Sequence, residues 1–559
     1  VATEFSVREI PFSRSGAWFG LSPVVGLAKY AQDVHVVSHR NGMHAVLSLA
    51  PSRPAEIIAD PAVLTWSSGE PRIQAVFTSP DTLRIVGNGL GMRVGAAERT
   101  LTPFTGTYFF TEPSGGAVFT SYETGHRFRV TVLSGHSKPV GAEDLATADR
   151  AVVLGEEPWE LVIEELTTAR MPFSSDIGFD EAVSAARDEF SRFAAAVSPS
   201  PAPATDLACY VIWSATVAPA GFVTRPAVLM SKHWMDKVWS WDHCFNALAL
   251  APGAPDLAWD QFQLVFDHQD PQGALPDSIT HSEVLHNFVK PPIHGWTLTR
   301  LRSRLPEGLP DPERAYRQLS AWTSFWLDHR RAPGRPLPYY EHGNDSGWDN
   351  ATVFLDERLV ESADLAAFLV LQMKELSALA AEVGDATPWG ARSDEMLSAM
   401  LEELWDGTRF VSRGVVSGKL RATASLLDLM PVVLGEHLPR QVFDQLCSGI
   451  TEHLTEAGPA TELPTSQYYE DDGYWRGPVW APATVLIEDG LRRGGAVELA
   501  DLVSARFRAT CEKSGFAENF DALTGEGLRD RAYTWTASAY LLLGAGDDAA
   551  PAGTSAPTS

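Results

Sequence analysis

The chain has 559 residues, 45% of them hydrophobic and 21% charged, the composition of a soluble globular protein long enough to bury a sizeable core. With 71 acidic against 44 basic residues it carries a net charge of −27. That balance excludes nucleic acid or an anionic membrane as the main partner, because both require a basic surface. No run of about 20 apolar residues is present, so no bilayer span is expected. The first twenty residues lack the basic start, apolar stretch and small-residue cleavage site of a signal peptide, which predicts a cytoplasmic protein, although a processed exported form would read the same way. Cys209, Cys244, Cys447 and Cys511 show no CxxC spacing and are expected as buried thiols. Tryptophan is abundant, with 17 residues. It serves cores and sugar-stacking surfaces alike.

The first part of the chain alternates apolar and polar residues in short runs, over 33–39, 72–79, 82–88, 106–112, 116–123, 126–135 and 160–166, separated by Gly, Pro, Asn and Asp turns. This pattern predicts an antiparallel β-sandwich domain over residues 1–170. The closely spaced glycines of GNGLGMRVG (87–95) lie in this β-rich stretch with no helix after them, so they make no dinucleotide-binding loop. Helical spacing begins at 179–197, where Phe179, Val183, Ala186, Phe190 and Phe193 form one stripe, and a Pro/Ser-rich connector follows at 198–205. Further helices are expected at 207–219, 239–250, 257–268, 294–304, 312–328, 362–382, 388–404, 421–434, 440–456, 479–492, 496–513 and 532–543. So many paired helices suit a toroid of six hairpins, an (α/α)6 barrel over 171–545. The tail, 546–559, is too poor in apolar residues to be expected to order.

Between the helices lie segments too polar for core and too aromatic for ordinary loops: MSKHWMDKVWSWDHCFN (230–246), DPQGALPDSI (270–279), KPPIHGW (290–296), PYYEHGNDSGWDNAT (338–352), LPTSQYYEDDGYWRGPVW (463–480) and GFAENFDALTGEG (515–527). In a helical toroid such loops converge at one end of the inner helices. The histidines among them show neither HExxH nor HxH spacing, no DxDxDG-like loop supports a structural calcium ion, and no cofactor is expected.

PYYEHGNDSGWDNAT resembles the acid-bearing motif of glycoside hydrolase family 63 and its mannosylglycerate hydrolase branch, and family 37 trehalases carry a similar SGWD element. WSWDHCFN, GALPDSI, KPPIHGW, YWRGPVW and ENFDALTGEG are similar to family 63 segments in the same order, so the resemblance covers roughly residues 176–545. It implies a two-domain α+β chain with the β-sandwich ahead of an (α/α)6 barrel, and hydrolysis of α-glycosides with inversion. The resemblance maps the general acid to Asp349 and the general base to Glu518, with Glu526 as the fallback. Inversion would set the two carboxyls roughly 6.5–9.5 Å apart to leave room for water.

The substrate cradle is expected from Trp241, Trp348 and Trp480 as flat faces and from Asp242 and Arg476 as charged hydroxyl binders, with Tyr340, Gln467 and Tyr468 as further candidates. Core packing is the alternative for each Trp, and a mutual buried pair for Asp242 and Arg476. Asp345 would bind glycone hydroxyls or brace its loop. The main expectation is an exo-acting inverting α-glucosidase that releases one sugar from a disaccharide, short oligosaccharide or small glycoside. A glucosylglycerate- or mannosylglycerate-type hydrolase is the alternative within the class. A toroid-fold phosphorylase or a non-catalytic sugar binder are the alternatives outside it. The carbohydrate substrate is the one partner expected; glycone identity and oligomeric state are not set by the sequence.

Overall fold

Alternation of buried and solvent-facing side chains dictates the sheets. In the computed structural model, which describes residues 3–141, 146–147, 149–198 and 202–544, Arg72–Ser79 turns through Pro80 and Asp81 to pair with Thr82–Asn88 and buries Ile73, Ala75 and Phe77. One antiparallel sheet of eight strands runs in the order Thr107–Thr111, Ala117–Ser121, Arg127–Ser134, Trp159–Leu166, Thr82–Asn88, Arg72–Ser79, Leu64–Ser67 and Glu56–Ala59. A second, of six, runs Phe19–Gly26, Lys29–Ser38, His44–Pro51, Met92–Ala96, Ala151–Leu154 and Ser137–Val140. Phe19 of the second sheet packs on Phe77 and Phe128 of the first, at 5.2 and 5.4 Å between ring centroids. The glycine-rich stretch at 87–95 is divided between strands of the two sheets.

Two compact units divide the chain elsewhere than at residue 170. The first comprises Val1–Ala195, Cys209–Lys237 and Thr280–Glu283; the second comprises Ala196–Ala208, Val238–Ile279 and Val284–Ser559. Helix α1 (Phe179–Val197) falls largely in the first unit because its apolar stripe needs the sheet: Phe179, Ala182, Val183 and Ala186 pack with Ala62 and Val76. The segment 230–246 is split between the units. In its first half the buried Lys232 Nζ donates to Ser13 Oγ at 3.0 Å and to the Ala17 carbonyl at 2.6 Å, holding the first unit together. Helix α2 (Thr205–Ala215) spans the change of unit.

The second unit is helical. It contains α3 (Asp242–Leu250), α4 (Pro255–Asp267), α5 (His294–Arg304), α6 (Pro312–His329), α7 (Ala363–Val383), α8 (Trp389–Leu404), α9 (Arg440–His453), α10 (Ala481–Arg493), α11 (Val497–Ser514) and α12 (Thr534–Gly544). Leu426–His437 forms a 3-10 helix where an α-helix over 421–434 is expected. Pro431 removes a backbone donor inside it, and Gly435 at φ +52 breaks the helical path. α3 packs on α5, α5 on α7, α7 on the 3-10 helix, that helix on α10, α10 on α12, and α12 returns to α3. α4 flanks α3, α6 and α8 flank α7, α9 flanks the 3-10 helix, and α11 flanks α10 and α12. Burial follows position: all nine residues of α3 are buried, whereas α8 buries only Trp389, Ser393, Met396, Met400 and Leu404, one stripe at spacings of three and four. Among the described residues no helix is long and apolar enough to cross a membrane. The tail expected over 546–559 and residues 199–201 of the connector lie outside the described residues.

Candidate active site

Asp349 follows a short 3-10 turn, Gly343–Ser346, that ends in Gly347 at φ +73. The left-handed conformation favours glycine there, and so does space: a Cβ on Gly347 would sit 2.5 Å from the Trp241 ring. Gly347→Ala is therefore expected to destabilise the chain by about 1–3 kcal/mol and to displace Trp241. Urea unfolding with tryptophan fluorescence measures both, and an unchanged midpoint would contradict this account of the turn.

Two neighbours fix the loop that carries Asp349. The Asn350 amide donates to the Gly473 carbonyl at 3.0 Å and its oxygen accepts from the Trp475 N–H at 2.9 Å, which ties this loop to the YWRGP segment. Asp345 braces the other side. Its Oδ1 accepts from the Val289 N–H at 3.1 Å, and its Oδ2 from Arg330 at 2.8 Å and the Glu341 N–H at 2.9 Å. Asp345 is 1% exposed and spends both oxygens on the protein, so of its two expected roles the structure gives it loop bracing and not hydroxyl binding.

Asp349 itself is partly exposed. It lines a cavity of about 280 Å³ together with His342, Asn350, Phe354, Arg358 and Arg476. Burial raises its pKa; Lys290 opposes the rise, Asp277 adds to it, and hydrogen bonding to the Tyr474 hydroxyl opposes it. Tyr474 has φ +65, rare for a residue with a side chain, and feels the charges of Asp349, Glu518 and Asp242 together.

Glu518 enters from the segment before α12. Its N–H donates to the Asp530 carbonyl at 2.7 Å, and its own carbonyl accepts from the Trp535 indole at 3.4 Å. The side chain is 2% exposed. Burial, reinforced by Asp530 and Asp349 and opposed by Arg529, pushes its pKa up to about 8. Glu526 lies exposed in the turn of the hairpin formed by Asn519–Phe520 and Gly527–Leu528, which leaves it unsuited to be the base.

Asp242 opens α3 at 4% exposure, and its Oδ2 has no hydrogen-bond partner among the described residues. Burial raises its pKa to about 8, against Lys290 and with Asp277 and Asp349. A buried carboxyl oxygen left without a partner is suited to receive a ligand hydroxyl. Arg476 pairs with Glu470 at 3.1 Å, so the expected alternative of a mutual Asp242–Arg476 pair is not found.

The tryptophans form one buried cluster. Trp475 stacks on Trp480 at 4.1 Å and 7°, Trp348 lies 4.6 Å from Trp475, and Trp241 meets Trp535 edge-on at 5.9 Å. Trp241, Trp348 and Trp480 are only 1–3% exposed, and Trp480 has one face covered by Trp475. Tyr340 is fully buried, with its hydroxyl donating to Asp364 at 2.8 Å, so it is a core residue and not part of the cradle. Gln467 and Tyr468 line a different cavity, of about 500 Å³, with Arg409 and Arg421. Asp277, Lys290 and Tyr474 complete the charged cluster and are absent from the sequence expectations. The available signal was an isolated charge in each of the otherwise apolar stretches GALPDSI and KPPIHGW, since a charge buried in such surroundings requires a partner.

Comparison with known proteins gives the chain a family. The model of the mannosylglycerate hydrolase MGH1-like glycoside hydrolase domain matches residues 235–536, more than half of the chain. The chain belongs to this family. This MGH1-like member of glycoside hydrolase family 63 is 26% identical to a mannosylglycerate hydrolase from Rubrobacter radiotolerans, over 57% of this chain and 92% of that protein. It is 22% identical to a glucosylglycerate hydrolase from Mycolicibacterium hassiacum, over 57% of this chain and 94% of that protein. The crystal structure of a family 63 mannosylglycerate hydrolase from Thermus thermophilus in complex with glucose has a similar fold, with a TM-score of 0.51 at 23% identity, covering 60% of this chain and 98% of that one. This MGH1-like protein is a glycoside hydrolase, and its sheet-rich first unit lies almost wholly ahead of the matched stretch.

Proposed function

We propose that this glycoside hydrolase cleaves a small α-glycoside with an anionic aglycone, of the glucosylglycerate or mannosylglycerate type, with inversion and from the non-reducing end. This reading displaces the α-glucosidase expected from the sequence. The relatives named above act on such glycosides by their names, and the observation that carries the reading is the cavity at Asp349: Arg358 and Arg476 line it beside the carboxyl that would protonate the leaving oxygen. A guanidinium suits a carboxylate through parallel N–H donors. The order of helix contacts supports an (α/α)6 barrel, and the facing phenylalanines of the two sheets support a sandwich ahead of it.

In the mechanism, Asp349 donates its proton to the glycosidic oxygen while Glu518 takes a proton from the water that attacks the anomeric carbon from the opposite face. Asp242 accepts from a glycone hydroxyl. The first-formed sugar is then the β-anomer, seen by proton NMR before mutarotation. Burial raises both carboxyls, the charge of Asp349 adds to the rise at Glu518, and the order of roles rests on the family motif.

The substrate assignment is tested by comparing a glycosylglycerate with the matching glycosylglycerol, which lacks the carboxylate. Arg476→Ala is expected to raise KM for the first by roughly tenfold or more, the worth of one charge-assisted hydrogen bond, and to leave the second nearly unchanged. Equal effects on both, or faster hydrolysis of a neutral disaccharide such as maltose by the wild-type enzyme, would overturn the anionic-aglycone reading. A requirement for phosphate would make the enzyme a phosphorylase.

A further inference from the structure

Lys290 is 7% exposed and lies in the segment leading into α5. Its ammonium pairs with Asp277 at 3.1 Å and donates to the carbonyl of Asn344 at 2.9 Å. Asn344 belongs to the 3-10 turn that presents Asp349, while Asp277 precedes the short strand Ser278–Ile279. A buried lysine is costly unless paired, and a single carboxylate would satisfy it. Here three carboxylates, Asp349, Asp277 and Asp242, act on it.

We propose that Lys290 is the positioning residue of the acid: its ammonium ties the Asp349 turn to the Asp277 segment and keeps one positive charge among three aspartates. The inference rests on the reading of Asp349 as the proton donor. Burial alone would lower the pKa of the ammonium, but Asp349, Asp277 and Asp242 more than offset it and hold it above the ordinary lysine value, so the charge is retained across the working range. The groups that act on Asp349 are Lys290, Asp277, Tyr474 and His342, while Asp242 and Glu518 feel its charge and Arg358 and Arg476 line the same cavity. Among these neighbours Lys290 does most to favour ionisation of Asp349, so it limits how long the acid keeps its proton as pH rises.

The two members of the pair should shift the reaction in opposite directions. Removing the ammonium in Lys290→Met leaves Asp349 protonated to higher pH, so the limb of kcat/KM set by Asp349 moves up by about one pH unit. kcat at the optimum falls, because the turn loses its tie. Asp277→Asn removes a neighbouring negative charge and moves the same limb down. Lys290→Arg, which keeps the charge, stays closer to the wild-type limb than Lys290→Met does. These profiles are measured on the full-length enzyme with a glycosylglycerate, and folding is monitored by circular dichroism. An Asp349 limb that stays in place in folded Lys290→Met overturns the proposal. If that variant fails to fold, an Asp277→Asn limb that does not move down overturns it equally. Failure of the acid assignment is seen separately: Asp349→Asn would then keep near-normal turnover whatever Lys290 does.

Discussion

Asp349→Asn is expected to slow hydrolysis of a glycoside with an alkoxide leaving group by roughly 10²–10⁴-fold while the chain stays folded. Asparagine keeps the shape of the side chain, and the turn that presents it is held by Asn350 and Asp345, which the substitution leaves alone. The defect should depend on the leaving group. A glycosyl fluoride hardly needs the proton, so it should lose far less than the glycerate glycoside. Steady-state kinetics on the two substrates give the ratio. Near-normal turnover of the poor leaving group would remove Asp349 from the acid role, and an equal loss on both substrates would point to misplacement of the loop.

Glu518→Gln should combine a loss of activity of the same order, roughly 10²–10⁴-fold, with a gain in stability at alkaline pH. The pKa of the Glu518 carboxyl is raised to about 8 in the folded chain, chiefly by burial. Below the ordinary glutamate value the folded and unfolded states both hold the proton, and ionisation of the group costs nothing. As pH rises toward 8 the unfolded chain releases the proton and the folded chain keeps it, so stability falls. Above 8 the folded chain ionises as well and the loss is complete. Glutamine has no proton to lose. Its advantage should be absent near pH 4, grow through neutrality and level off above about pH 8, reaching a few kcal/mol, since each pH unit between the two titrations is worth about 1.4 kcal/mol. Thermal unfolding of both forms from about pH 4 to 9 measures it. A constant difference in Tm across that range would mean that Glu518 does not titrate in a buried site.

The helices were legible because each buries one stripe or all of its faces, and the helical period survives either way: the stripe of α8 reads directly from Trp389, Ser393, Met396 and Met400. Leu426–His437 misled because its apolar residues have helical spacing, whereas Pro431 and the left-handed Gly435 impose a tighter and interrupted path. Among the strands, the alternating Leu64–Ser67 was too short to stand out, while longer runs such as Arg72–Ser79 were legible. Phe19–Val24 was not, since all six residues are buried and no alternation is left to read. Asp242, Asp349 and Glu518 stood out through their motifs. Tyr340 was misplaced because its hydroxyl partner, Asp364, lies on another element, and Lys290 was missed because its pairing with Asp277 and the Asn344 carbonyl exists only once three segments meet. Tyr474 reads as one aromatic among several, and its backbone conformation leaves no trace in the sequence.

The return of α12 to α3 has a kinetic consequence. The Ser538 hydroxyl donates to Asn246 at 2.8 Å, a contact spanning 292 residues. Bringing together points that far apart carries an entropy cost of about 5 kcal/mol from the logarithmic dependence on loop length, and it cannot begin before the last helix exists. On the ribosome, chains grow at about 5–20 residues per second, so the first helix of the ring waits on the order of half a minute for its final neighbour. For most of that wait the Glu518 segment does not yet exist, and when it emerges it still has no α12 to anchor it. The nascent chain thus carries the Asp349 turn well before it carries Glu518, and the two can be fixed opposite one another only after α12 has been made.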